Sequence, residues 1–283
     1  MGKDIILKHN NKLIAWNSNQ IRVGQTVDAP VSYVTATGGT ITTDGDFKIH
    51  TFTDSSLFIV TVSGDVSALV VGGGGGGGDC SQTGYGPGGG GGEMLEDTLT
   101  VSTQEYNIKV AVTTPHMTDG STSIFSSLTA KGGYTGGEGP AVGGNSGSGY
   151  IGGGMASSYS AGGGGGDSGN GKSQSEWRKQ QGGDSTLSEI TGNYYGGGGG
   201  GGNEGSDNIF GWPDYIWVDA STIISTGGYG GLGGIRLEQS PWILDGSTNT
   251  GGGGGGGGWH TQNGPQPGNK GGSGIVVIKY KYQ

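Results

Sequence analysis

The residues best equipped for recognition stand in short aromatic islands: Glu176-Trp177-Arg178, Tyr194-Tyr195, Trp212-Pro213-Asp214-Tyr215-Ile216-Trp217, Trp242 and Trp259-His260. Tyrosine and tryptophan offer large contact areas on few rotatable bonds, which suits docking onto a protein epitope or a sugar ring. Two roles are open to each of them. One is contact with a partner; the other is shielding, in which the ring supplies packing that the surrounding glycine cannot. Tyr215 and Trp217 alternate around Ile216, so residues 212–217 also read as a short strand.

Reactive chemistry is poorly represented. The stretch Gly166-Asp167-Ser168-Gly169-Asn170-Gly171-Lys172-Ser173 fits the phosphate-loop pattern, but such a loop needs a buried strand before it and a helix after it. Here glycine precedes and polar residues 174–181 follow, so the match is read as a by-product of composition. His9, His50, His116 and His260 lie far apart, and Cys80 is the single cysteine, so no zinc spacing and no intrachain disulfide framework exist. Asp44-Gly45-Asp46, Asp119-Gly120 and Asp245-Gly246 are explained by turn formation rather than by calcium. No serine sits in a G-x-S-x-G elbow, and no hydrolase carboxylate pair can be singled out. The chain is expected to be no enzyme and to need no cofactor or metal.

The elements that must position the islands are unusual. Of 283 residues 72 are glycine, and hydrophobic types reach only 30%, against an ordinary ~45–50% that counts glycine too. Much of the chain therefore cannot be built around a side-chain core. There is no strict three-residue period and only 8 prolines, which excludes collagen; glycine runs as long as Gly251 to Gly258 exclude helical bundles. A net charge of −9 with only 13% charged residues leaves no basic face for nucleic acid. No 18-residue apolar run and no basic leader with an apolar stretch occurs, so neither membrane insertion nor autonomous secretion is expected.

Strand signals bracket the glycine. Ile5 to Leu7, Leu13 to Trp16, Ile21 to Val23 and Tyr33 to Ala36 read as short strands; Phe47 to Phe52, Leu57 to Val62 and Ala68 to Val71 read as sheet strands bounded by turn residues. Further strands are expected at Leu99 to Val101, Tyr106 to Val112, Ser123 to Thr129 and Ile275 to Tyr282, the last returning to the sheet that opens near residue 47. The expected organisation is residues 1–44 as a mounting segment, 45–130 as a β scaffold with the first glycine runs, 131–270 as a glycine-rich region with aromatic loops, and 271–283 as the closing strand.

At least five separated runs recur, at Gly72 to Gly78, Gly88 to Gly92, Gly162 to Gly166, Gly196 to Gly202 and Gly251 to Gly258. A flexible linker needs one run, not five. Extended glycine helices with three residues per turn leave every backbone N–H and C=O unpaired internally, so these groups must pair laterally. Stacked side by side, seven or eight residues span about 22–25 Å at the ~3.1 Å rise of such a helix. The expected fold is mainly β, a β-sandwich or jelly-roll-like scaffold with an inserted lattice of stacked polyglycine II helices. Gly75, Gly90, Gly164, Gly199 and Gly255 serve as central scaffold glycines, and the aromatic islands form loops at the ends.

Phe47-Lys48-Ile49-His50-Thr51-Phe52-Thr53, Ala68-Leu69-Val70-Val71 running into Gly72, Asp119-Gly120-Ser121-Thr122-Ser123-Ile124-Phe125 and Gly271-Gly272-Ser273-Gly274-Ile275-Val276-Val277-Ile278-Lys279-Tyr280 resemble the glycine-rich domain of bacteriophage tail and fibre proteins. The resemblance covers about residues 45–283, and in principle is similar to the polyglycine-helix adhesins that tip the long tail fibres of T-even-like phages. It implies a virion protein, assembled in host cytoplasm and later extracellular, at a tail-fibre tip. Such a protein would bind a bacterial surface protein or glycan and other tail or fibre subunits within a multi-subunit assembly. The receptor-contact candidates are then Trp177, Tyr194, Tyr195, Trp212, Tyr215, Trp217, Trp242, Trp259 and His260. The alternative under the same resemblance is a structural decoration or assembly protein of the virion with no host contact. The sequence departs from the tip adhesins in carrying sheet strands on both sides of its glycine, and residues 1–44 lie outside the resemblance.

Overall fold

The β-branched and alternating segments form strands, and the glycine runs between them form extended segments. The computed structural model describes residues 5–9, 12–17, 20–21, 33–81, 84–137, 142–154, 161–172, 181–202, 245–260 and 264–283, in two units, Met1–Tyr33 and Val34–Gln283. The first unit is a three-stranded antiparallel meander of β1 (Ile5–His9), β2 (Lys12–Asn17) and β3 (Gln20–Ile21).

In the second unit β4 (Thr35–Thr37), β7 (Ser56–Val62) and β10 (Glu105–Ile108) make one sheet, in the order β10-β7-β4. The other sheet contains β5 (Thr40–Asp44), β6 (Phe47–Phe52), β8 (Gly64–Val71), β9 (Met94–Val101) and β17 (Ile275–Lys281), in the order β5-β6-β17-β8-β9. The closing strand does return to the sheet opened near residue 47, pairing antiparallel with both β6 and β8. The described part of the protein is mainly β. The unit boundary falls between Tyr33 and Val34 rather than at residue 44. Asp44-Gly45-Asp46 is the tip of the β5–β6 hairpin, and β4 pairs with β7, so residues 34–44 belong to the sandwich.

A side-chain core fills the space between the sheets. Phe58, fully buried, meets the rings of Phe125, Phe52 and His50 at centroid distances of 5.8, 6.2 and 5.2 Å. Val66, Ala68 and Val70 alternate inward from β8, as Val276, Ile278 and Tyr280 do from β17. The opposite face of the five-stranded sheet is also covered: Leu69, Val71, Ile275 and Val277 pack with Tyr195.

One buried polar chain crosses this core. His50 Nδ1–H donates to the Gly38 carbonyl at 2.8 Å, and Tyr280 O–H donates to His50 Nε2 at 2.9 Å. Burial pushes the His50 imidazole below its ordinary range, with the Lys48 charge adding to the effect and the bond to Gly38 opposing it. The unfolded chain therefore takes up a proton near pH 6.5 while the folded protein does not, so stability falls as pH drops below about 6.5. His50→Gln keeps a donor for Gly38 and an acceptor for Tyr280 but cannot titrate. Denaturant midpoints between pH 7.5 and 5.5 are expected to fall for the wild type and to flatten in the variant; parallel profiles would exclude His50 as the cause.

The glycine segments form a lattice through lateral hydrogen bonds. Along residues 72–78 the partner of the N–H changes with a period of three. Gly72, Gly75 and Gly78 donate to Glu93, Gly90 and Pro87; Gly73 and Gly76 donate to Ser121 and Thr118; Gly74 and Gly77 donate to Gly272 and Asn269. A donor that turns to a new neighbour at each residue and returns at every third is the signature of a three-residue-per-turn helix.

The segment 86–93 lies at the centre. Its N–H groups reach three neighbours: Gly86, Gly89 and Gly92 donate to Gly257, Gly254 and Gly251; Gly88 and Gly91 to Gly162 and Gly165; Gly90 and Glu93 to Tyr134 and Lys131. Its carbonyls serve three others, accepting from Gly72, Gly75 and Gly78, from Gly144 and Gly147, and from Gly199 and Gly202. These six are bonded in turn to one another, through Gly254 to Gly75, Gly253 to Gly197, Gly164 to Gly199, Gly165 to Gly144, Tyr134 to Asn145 and Gly133 to Gly73. Six segments thus ring a seventh in a closed hexagon.

The hexagon is possible because Cβ is missing. A Cβ at Gly90 would stand 1.9 Å from the Asn145 carbonyl oxygen, at Gly75 2.2 Å from that of Tyr134, at Gly164 1.9 Å from that of Gly89, and at Gly199 2.1 Å from that of Gly254. The Gly255 carbonyl accepts both the backbone N–H and the side-chain Nδ2 of Asn269, at 2.8 and 3.1 Å. All five expected scaffold glycines therefore sit in the lattice.

Candidate functional site

Chain direction sorts the loops. β8 runs straight into residue 72, β9 follows directly on residue 93, β12 (Leu128–Ala130) leads into 131, and β17 follows 274, so the glycine helices continue the sheet strands. Segments 72–78, 131–136, 196–202 and 251–258 run away from the sandwich, while 86–93, 143–147, 161–166 and 266–273 return to it.

Turns at the sandwich side of the lattice are fastened to the sheets. Asp167, buried, accepts hydrogen bonds from Met94 N–H and from the hydroxyls of Ser148 and Thr186, tying three turns to the start of β9. Glu96 does the same for residues 188–190. The phosphate-loop pattern lies here too. Its N–H groups at Gly166, Asp167, Ser168, Gly171 and Lys172 donate to the carbonyls of Gly169, Gly196, Asp184, Ile151 and Gln181. They are consumed by the lattice rather than converged on an anion, and a carboxylate is buried among them.

At the far side, which we term the distal face, lie residues 79–81 and 84–85, with Ser81 bridged to Gly84, the turn at 115–119, and the paired strands β15 (Trp259–His260) and β16 (Gly264–Pro265). Asp79 organises this face: its Oδ1 accepts the Gly268 N–H at 2.8 Å and the His116 Nδ1 at 2.8 Å. Asp119 Oδ1 accepts the Thr135 N–H at 2.8 Å. Cys80 beside it is buried, with its N–H donated to the Gln266 carbonyl; burial pushes the thiol pKa up, and the Asp79 charge adds to that. His116 and Asp79 were not singled out as site residues by sequence. The available signal was position: Asp79 follows a seven-glycine run that leaves the sheet, so it must stand at the far end.

The expected contact residues divide by end. Tyr194 and Tyr195 form β14 (Tyr194–Tyr195), paired with β13 (Thr186–Leu187), at the sandwich side. Tyr195 is 4% exposed, packed on the sheet, with its hydroxyl 3.1 Å from Thr191 Oγ1. It is a shielding residue rather than a contact residue, because its ring closes the seam between lattice and sheet; Tyr194 next to it is half-buried. Trp259 and His260 lie on the distal hairpin. Trp177, Trp212, Tyr215, Trp217 and Trp242 lie outside the described residues, as does the expected strand at 212–217. Gly137, Gly154, Lys172, Gly202 and His260 stand in the distal half of the lattice. Val142, Ala161, Gln181, Asp245 and Gly264 stand in the same half.

The landmarks of this architecture, strands flowing into glycine helices and back, define a class. The chain belongs to the glycine-rich domain family, whose family model matches residues 51–281. No curated protein sequence matches it significantly.

Proposed function

We propose that the protein is a non-enzymatic receptor-binding protein at the tip of a bacteriophage tail fibre. It attaches to a bacterial surface protein or glycan through the distal face of its glycine lattice. One observation carries this reading: the loops of the lattice are sorted by end. Turns on the sandwich side are tied down by Asp167 and Glu96, whereas Gly137, Gly154, Lys172, Gly202 and His260, and then Val142, Ala161, Gln181, Asp245 and Gly264, stand in the distal half. The sequence between these paired positions, with the positions' own neighbours, holds seven of the nine aromatic and histidine candidates. Val34, where the sandwich unit begins, leads by way of β4 to the end of β7 remote from the lattice, which in this reading leaves the distal face to the host. In this reading the protein is assembled in host cytoplasm and works outside the cell, on the virion.

Purified protein added to host cells is expected to compete with virions carrying the chain for adsorption. Correctly folded protein that neither binds cells nor competes would overturn the proposal. Mapping the chain to an interior position of the particle would favour the decoration or assembly role instead.

A further inference from the structure

We infer that the glycine lattice is a tension-bearing rod, built to carry force along its helix axes between the sandwich and the distal face. The inference is independent of what the distal face binds. It rests on three features of the backbone.

First, the sandwich strands β8, β9 and β17, and β12 of the β11–β12 hairpin, pass into glycine helices without an intervening loop. An axial pull on the lattice is therefore transmitted through covalent backbone into the sheets. Second, the described hydrogen bonds between the glycine helices are lateral, joining one helix to another. An axial force loads such bonds together in shear, whereas a force across the axis opens them one after another from the nearest end. Third, slip is blocked by register. Moving one helix by a single residue turns its donors by about 120°, toward the wrong neighbours, because three residues make one turn. Only a slip of three residues, about 9 Å at the ~3.1 Å rise, restores the pairing, and all lateral bonds of that helix must break before it is reached. For segment 86–93 those bonds go to six neighbours in a closed ring, so it has no free side from which to peel.

The test is single-molecule pulling on the full chain, with Cys80→Ser throughout to leave only the introduced thiols. Thr103→Cys with Pro267→Cys applies force along the axis. Thr103 is exposed in the turn between β9 and β10 at the pole remote from the lattice, and Pro267 is exposed at the distal end. Val112→Cys with Tyr150→Cys applies force across it. Val112 is 70% and Tyr150 40% exposed; Val112 follows Ala111, bonded to Gly274, and Tyr150 is bonded to Ser146, on opposite flanks of the hexagon. Forced unfolding reports the barrier under load rather than equilibrium stability, so the axial rupture force is expected to exceed the transverse one by about twofold or more at equal loading rate. Equal forces, or a weaker axial direction, would overturn the inference. If either axial substitution lowers the melting temperature, Asp46→Cys with Pro265→Cys gives a second axial pair on exposed positions, and the same comparison decides.

Discussion

Gly90→Val is expected to abolish the lattice, while Gly149→Ala, a substitution at another glycine in the same region, is expected to be mild. Gly90 lies in the central helix, donating to Tyr134 and accepting from Gly75. Its new Cβ would stand 1.9 Å from the Asn145 oxygen and 3.0 Å from that of Gly144. No rotamer relieves a clash between Cβ and backbone. The 143–147 helix would have to move, and since it is held in the closed ring by bonds to two further helices, the shift propagates. The cost is placed at about 4 kcal/mol or more, the range reserved for disrupted cores. For a unit of this size that lowers the melting temperature by roughly 8–16 °C. Gly149 has φ +91° and nothing within 4 Å of an added Cβ. Alanine there meets only the backbone penalty of the left-handed region, about 1–2 kcal/mol. Thermal melting and limited proteolysis separate the two. Equal, small effects would mean that glycine serves only as a flexible filler.

Phe58→Ala is expected to remove about 3–5 kcal/mol, the usual cost of truncating a buried aromatic. Phe58 is 0% exposed and touches rings from β6, β10 and β11 (Ser123–Phe125) at once. It therefore joins both sheets and the hairpin that delivers the chain to residue 131. Because three sandwich strands, β8, β9 and β17, continue as glycine helices, loss of the sandwich should take the lattice with it in one cooperative transition. Calorimetry that resolves a second, unchanged transition in Phe58→Ala would show that the lattice stands without its sheets. The two substitutions probe different materials: one core is made of side chains, and the other of peptide groups.

Much of the sheet scaffold was legible in the sequence. Phe47 to Phe52, Leu57 to Val62 and Ile275 to Tyr282 alternate or cluster as β-branched and apolar residues and became strands near their expected bounds, whereas Ala68 to Val71 is only the second half of a strand that begins at Gly64. Residues 34–44 were harder to place. A turn signal at Asp44-Gly45-Asp46 reads equally as a domain edge and as a hairpin tip, and only the pairing of β5 with β6 decides. Tyr195 was ambiguous for a similar reason: a tyrosine beside glycine looks like a contact residue until the sheet beneath it is seen. His116 and Asp79 are separated by 37 positions, and only the lattice brings them together.

The sequence by itself determined that this chain could have no conventional core through its middle, that glycine would have to pack by backbone, and that strands would frame it. It could not say which helix neighbours which. A run such as Gly251 to Gly258 has no side chains, so every register and every neighbour look alike along it. The tertiary structure breaks that degeneracy from outside the runs. Strands β8, β9 and β17, whose side chains do fix register, set the height and direction of the helices they continue into. Turn carboxylates such as Asp167 fix the rest, and through them the end to which each loop belongs.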